Sequence, residues 1–130
     1  MNAPIYLELA DIIYIHQRET TLANHSKEIR DLESLKACVD APKASFEGKY
    51  LMNIFEMAAT YISSICIRHP FLDGNKRTAA LSALIFLELN GYDFKESYPE
   101  ELADQILDFL NKKIDKNKLA FYINKNSNKK

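Results

Sequence analysis

Nine consecutive residues, His69-Pro70-Phe71-Leu72-Asp73-Gly74-Asn75-Lys76-Arg77, carry an imidazole, a carboxylate, a glycine, an amide, an ammonium and a guanidinium. Together they suit chemistry on a phosphate. The imidazole of His69 can take a proton from an attacking hydroxyl near neutral pH. Asp73 offers a hard oxygen to Mg²⁺, which takes few protein ligands and fills its shell with water and phosphate. Gly74 can adopt positive φ and lets backbone approach an anion closely. The helix that resumes at Lys76 presents free N–H groups and a positive dipole end. Arg77 in that first turn opposes the dipole. Its placement makes sense with an anion there, whose oxygens its fork can grip in pairs.

Taken singly, each residue has a plainer reading. Asp73 is a helix cap, His69 a loop histidine, Lys76 and Arg77 a solvated first turn, and Phe71 a core anchor. The conjunction at this spacing favours a site.

The elements on either side must hold that segment. Tyr50–Arg68 carries an apolar stripe at Leu51, Ile54, Phe55, Ala58, Tyr61, Ile62 and Ile65, which predicts a helix. Lys76–Asn90 is apolar nearly all round from Ala79 to Leu87, and a helix of that kind belongs in the middle of a domain. The reactive loop is thus gripped by core on both sides. Ile5, Leu9, Ile12, Ile13 and His16 mark a first helix face, and Ile29, Leu32, Leu35 and Val39 a second. Ala41–Gly48, with Pro42 and Gly48, reads as a loop or short hairpin flap. Asn90-Gly91 is a helix stop. Pro99–Leu110 opens on a proline and two glutamates, a favoured first turn. Asp115–Ile123 is a last short helix. The polar, basic end is expected to fray. No strand-like alternation stands out. The predicted fold is all-α, one domain over residues 1–124 with a tail over 125–130.

Composition limits the function classes. Seventeen Lys+Arg against eighteen Asp+Glu leave a net charge of -1, so no global field draws nucleic acid or an anionic membrane. The basic run Lys125–Lys130 is the one feature favouring a non-catalytic binding module, and terminal charge runs are usually solvated. Three glycines, Gly48, Gly74 and Gly91, fit neither a P-loop nor a dinucleotide fingerprint. His16, His25 and His69 lack zinc spacing, and the first two read as surface or satisfied core residues. Cys38 and Cys66 read as small buried hydrophobes without a disulfide. Met1–Asp11 has no secretory pattern, so Asn24-His25-Ser26 is a chance sequon. A cytoplasmic setting is the simplest expectation.

HPFLDGNKRTAA resembles the signature of the Fic/Doc superfamily, most closely its Doc (death-on-curing) branch. The likeness extends over roughly Tyr6 to Ile123, with supporting runs at Ile54–Tyr61, Asn90-Gly91 and Pro99–Asp104. Fic chains read H-P-F-x-[D/E]-G-N-G-R-x-x-R, and Doc chains read H-x-F-x-[D/N]-[A/G]-N-K-R. Lys76 stands where the Fic pattern has its second glycine, and Ala80 where it has its last arginine. The resemblance implies a helical bundle around a central buried helix. It implies His69 as general base and Asp73 as Mg²⁺ ligand. Gly74, Asn75 and Lys76 would form the phosphate nest, and Arg77 would hold the transferred or neighbouring phosphate of ATP. It also implies a toxin-antitoxin setting. The product would be phosphorylated Ser/Thr on a translation elongation factor of the Tu type, with a small, partly disordered antitoxin as inhibitor. The Fic-type alternative is AMP transfer. The intrachain inhibitory pattern [S/T]-x-x-x-E-[G/N] is missing, since Lys43 stands four residues before Glu47. Inhibition in trans fits better.

Overall fold

A computed structural model describes residues 3–24, 26–95 and 100–130. Among the described residues are six helices: α1 Leu9–Ala23, α2 Leu32–Asp40, α3 Ile54–Arg68, α4 Asn75–Leu89, α5 Glu100–Leu110 and α6 Lys116–Lys125. Two small antiparallel pairs accompany them: β1 Ser45–Phe46 with β2 Lys49–Tyr50, and β3 Tyr92–Phe94 with β4 Ser127–Lys129. The expected all-α class is observed, with the short hairpin in the place foreseen and a 3-10 turn at Ala41–Lys43 leading into it.

Local chemistry sets the helix starts. Asn53 and Glu56 cap α3 reciprocally, each side chain accepting the other's backbone N–H at 2.8–2.9 Å. This box starts the helix at Ile54 rather than Tyr50. Asp31 caps α2 through Ser34 N–H, and Asp115 caps α6 through Lys118 N–H. The first helix differs more from its expected span. Residues 5–7 are not helical, and their backbone bonds elsewhere. Ile5 exchanges two hydrogen bonds with the Asn90 amide, and Leu7 N–H donates to the Tyr61 hydroxyl. The helix begins only after Glu8 and runs on to Ala23.

The core lies along α3. Met57, Ala58, Ala59, Tyr61, Ile62 and Ile65 are fully buried, between α2 on one side and α4 and α6 on the others. The foreseen buried helix α4 meets it with Ala79, Ala80, Ala83, Phe86 and Leu87; the alanines let the two axes approach closely. Its opposite face is less covered than the all-round apolar pattern implies, with Leu81 and Leu84 half-buried and Ile85 exposed. The most enclosed helix is therefore α3, one element earlier. Phe71 is fully buried, as expected of an anchor. Cys38 is buried, Cys66 is partly so, and both are free thiols. No helix among the described residues is long and apolar enough to cross a membrane. His25 and Pro99 lie outside the described residues.

The chain end corrects one expectation. Far from fraying, Lys125 closes α6, and Ser127–Lys129 pairs with Tyr92–Phe94. Lys95 N–H donates to Asn126 O at 2.7 Å, and Lys130 N–H to Gly91 O at 2.9 Å. Polar side chains can solvate one face of a strand while its backbone bonds a neighbour, so composition alone misread this segment. Truncation after Lys125 should cost at least about 1 kcal/mol, because it removes a ladder and opens Tyr92 and Phe94 to water. A chemical-denaturation midpoint identical to that of the full chain would show that the pairing contributes nothing.

Candidate functional site

The segment between α3 and α4 must reverse the chain within six residues. His69 ends α3 in the left-handed conformation, φ 51° and ψ 57°. Gly74 starts α4 from the same region, φ 79°. A side chain at position 74 would also approach Thr20 Cγ2 to 3.2 Å, so glycine is required there both by φ and by the closeness of α1.

Four sets of bonds fix this turn. Asn75, almost fully buried, accepts from Phe71 N–H at 3.1 Å and donates to Phe71 O at 2.8 Å. Arg30 reaches across to the end of α3, donating from Nε to His69 O at 2.7 Å and from Nη2 to Arg68 O at 2.8 Å. It thereby satisfies carbonyls that a helix end leaves orphaned, with a cation at the negative dipole end. The backbone of 28–31 pairs with the loop: Arg30 and Asp31 donate to Pro70 O, and Leu72 donates to Glu28 O. Finally, His16 on α1 stacks on Phe71, ring centroids 3.6 Å apart and 6° from parallel, and its Nε2 lies 2.7 Å from Asp73 O.

The protonation of His16 follows from that contact. A carbonyl only accepts, so Nε2 carries the proton and Nδ1 is bare. Nδ1 is buried with no hydrogen-bond partner among the described residues. Burial, the largest influence, pushes the imidazole's pKa down; the bond to the Asp73 carbonyl and the Asp73 charge pull it partly back. His16 is thus a core residue satisfied at only one ring nitrogen, where a surface or fully satisfied residue was expected, and also a strut of the loop.

His69, Asp73, Gly74, Asn75, Lys76 and Arg77 all line one cleft of about 520 Å³. The side chains of His69, Asp73, Lys76 and Arg77 are exposed there, and Asn75 is turned inward to hold the loop. No side chain caps the first turn of α4, and Gly74 to Arg77 at that helix start line the cleft; free N–H groups at a helix start suit an anion. Among the described residues no cluster of three His, Cys, Asp or Glu could hold a metal unaided. The single carboxylate of Asp73 fits instead a cation shared with phosphate oxygens and water. Cys66 also lines the cleft; burial pushes its thiol up to about 12 despite the nearby Lys76 charge, so it is a poor nucleophile at neutral pH.

Two charged residues were not foreseen. Arg30 gave no local signal. Glu19, whose carboxylate is largely buried, accepts from Arg77 Nε at 2.7 Å. It lies on the α1 face of His16, Thr20 and Ala23, spaced i, i+3, i+4, i+7. A first helix carried past His16 would have revealed it. Glu47, by contrast, sits in the β1–β2 turn with φ 51°.

A family model described as the Fic/DOC family matches residues 6–87. The chain is 32% identical over 94 residues to "Protein kinase doc" of Escherichia phage P1, covering 72% of this chain and 73% of that one. It is 31% identical over 81 residues to "Toxin Doc" of Mycolicibacterium smegmatis, covering 62% of each.

His16→Phe keeps a ring against Phe71 and deletes the donor to Asp73 O. The expected cost is about 1–3 kcal/mol, the scale for orphaning a buried polar group. Amide exchange should quicken at residues 72–75 while the rest of the chain stays protected. Unchanged exchange in that stretch would show that the hydrogen bond does not hold the loop.

Proposed function

The chain belongs to the Fic/DOC family, and from that premise we propose that it transfers the γ-phosphate of ATP to a Ser or Thr hydroxyl of a protein target. The observation that carries this reading is Lys76, exposed at the start of α4 on the cleft wall. A flexible cation there occupies space that a glycine leaves open and adds charge beside the uncapped helix end. A phosphate chain seated as in AMP-transferring relatives would meet that side chain; a reversed nucleotide would present its γ-phosphate to the acceptor. Ala80, at the place of the last Fic arginine, is fully buried in the core and offers the cleft no cation. The name of the phage relative, a protein kinase, agrees with this reading.

In the proposed reaction the acceptor oxygen bonds to the γ-phosphorus as the bond to the bridging oxygen breaks, and ADP leaves. His69 takes the hydroxyl proton. Gly74, Asn75 and Lys76 form the nest for the phosphates, with Asn75 acting through the backbone it fixes. Arg77, oriented by Glu19, and Lys76 offset charge as it develops. Mg²⁺ held by Asp73 would supply further charge neutralisation when bound. A toxin role follows: the target is an elongation factor of the Tu type, its modification stops translation, and a small, partly disordered antitoxin inhibits in trans in the cytoplasm.

Two experiments test this. ATP labelled separately at the α and γ positions should leave only the γ label on the target, adding one phosphate to its mass. Retained α label would replace the kinase reading with AMP transfer. His69→Ala should slow transfer by at least about 10²-fold while nucleotide affinity holds, since the imidazole serves the hydroxyl. Full activity in that variant would remove His69 from the mechanism.

A further inference from the structure

Beside the catalytic cleft lies a larger groove of about 660 Å³, formed where α3 ends and α5 turns into α6. Its floor is apolar: Ile67, Phe109, Leu110 and Ile114. Ile67 is 67% exposed, unusual for an isoleucine only two residues before a site histidine. Its rim is basic, with Lys112, Lys113 and Lys118 exposed and Lys116 turned to donate to the Thr60 hydroxyl at 3.1 Å. None of the four forms an ion pair with a described residue. The one acidic group on the rim, Asp115, spends its carboxylate on capping α6. Leu110 lines both the groove and the cleft, so the two share a wall.

An apolar floor with a one-signed rim is the anatomy of a surface that recognises a peptide of opposite charge. We propose that this groove docks an acidic, leucine- or isoleucine-bearing segment of the protein substrate, and so brings a neighbouring hydroxyl to His69. The proposal rests on the reading of the chain as a protein-modifying transferase. It adds the substrate's chemistry: apolar side chains fill the floor, and flanking carboxylates meet the lysines. The cleft alone holds the nucleotide and the reacting hydroxyl, and gives little to choose one protein from another. A second contact on the acceptor side supplies that choice.

Binding of fluorescein-labelled peptides, read by anisotropy without nucleotide, tests it. One amphipathic peptide is built of leucine and glutamate, a second has glutamine for every glutamate, and a single-stranded oligonucleotide serves as the third probe. The wild-type chain should bind the glutamate peptide at least about tenfold more tightly than the glutamine peptide, with affinity falling as salt rises. The double variant Lys112→Glu/Lys113→Glu should erase that preference. Ile67→Asp should weaken the glutamate peptide at least about tenfold, and ATP affinity should be the same in all three proteins. Equal binding of the two peptides, or variants that bind like wild type, would overturn the proposal. So would tighter binding of the oligonucleotide, which would mark the groove as a nucleic-acid surface. Because no turnover is read, these outcomes are independent of the labelled-ATP result, and either idea can fail alone.

Discussion

Everything at the site depends on how one short turn is stiffened. The loop leaves α3 and enters α4 within six residues, and both helix ends carry backbone groups that want partners. Had water satisfied them, the loop would be free to move and its side chains would not share a fixed geometry. They are met by protein instead. Arg30 takes the last carbonyls of α3, Asn75 brackets Phe71 from both sides, and His16 holds Asp73 O. The start of α4 is left without a side-chain cap. The protein thus ties down the turn everywhere except at that uncapped helix start.

Phe71 and His16 couple that turn to the core. The ring of Phe71 is fully buried and lies flat on the His16 imidazole. Moving the loop would therefore drag an aromatic side chain out of a packed interior, at a cost of several kcal/mol on the scale of large core truncations. The bare Nδ1 of His16 is the accompanying expense: a buried acceptor without a donor among the described residues, tolerated because its ring performs two other tasks.

How much of this was legible follows the range of each interaction. The site residues lie in one contiguous stretch, so their types and spacing could be read directly, and the flanking helices announced themselves by periodicity. Apolar surface predicts burial but not which of two hydrophobic helices is the more enclosed; that is settled by what lies on the far side, which depends on α2 and α6. Arg30 lies 39 residues from the carbonyl it caps, and β4 pairs with a strand more than thirty residues earlier. No local pattern encodes such partners. The non-helical backbone of residues 5–7 has the same origin, because its hydrogen bonds are supplied by Asn90 and Tyr61.

The family match ends at residue 87. Every group that stiffens the turn, from His16 and Arg30 to Asn75, lies inside it, whereas Phe109, Ile114 and the four rim lysines lie beyond it. The chain is in this sense divided between a stiffened turn inside the matched span and a surface outside it. Substitutions in the first part strain a turn with no slack. Substitutions on the outer surface of α5 and α6 touch none of the bonds that hold that turn, so the two regions can change independently of each other.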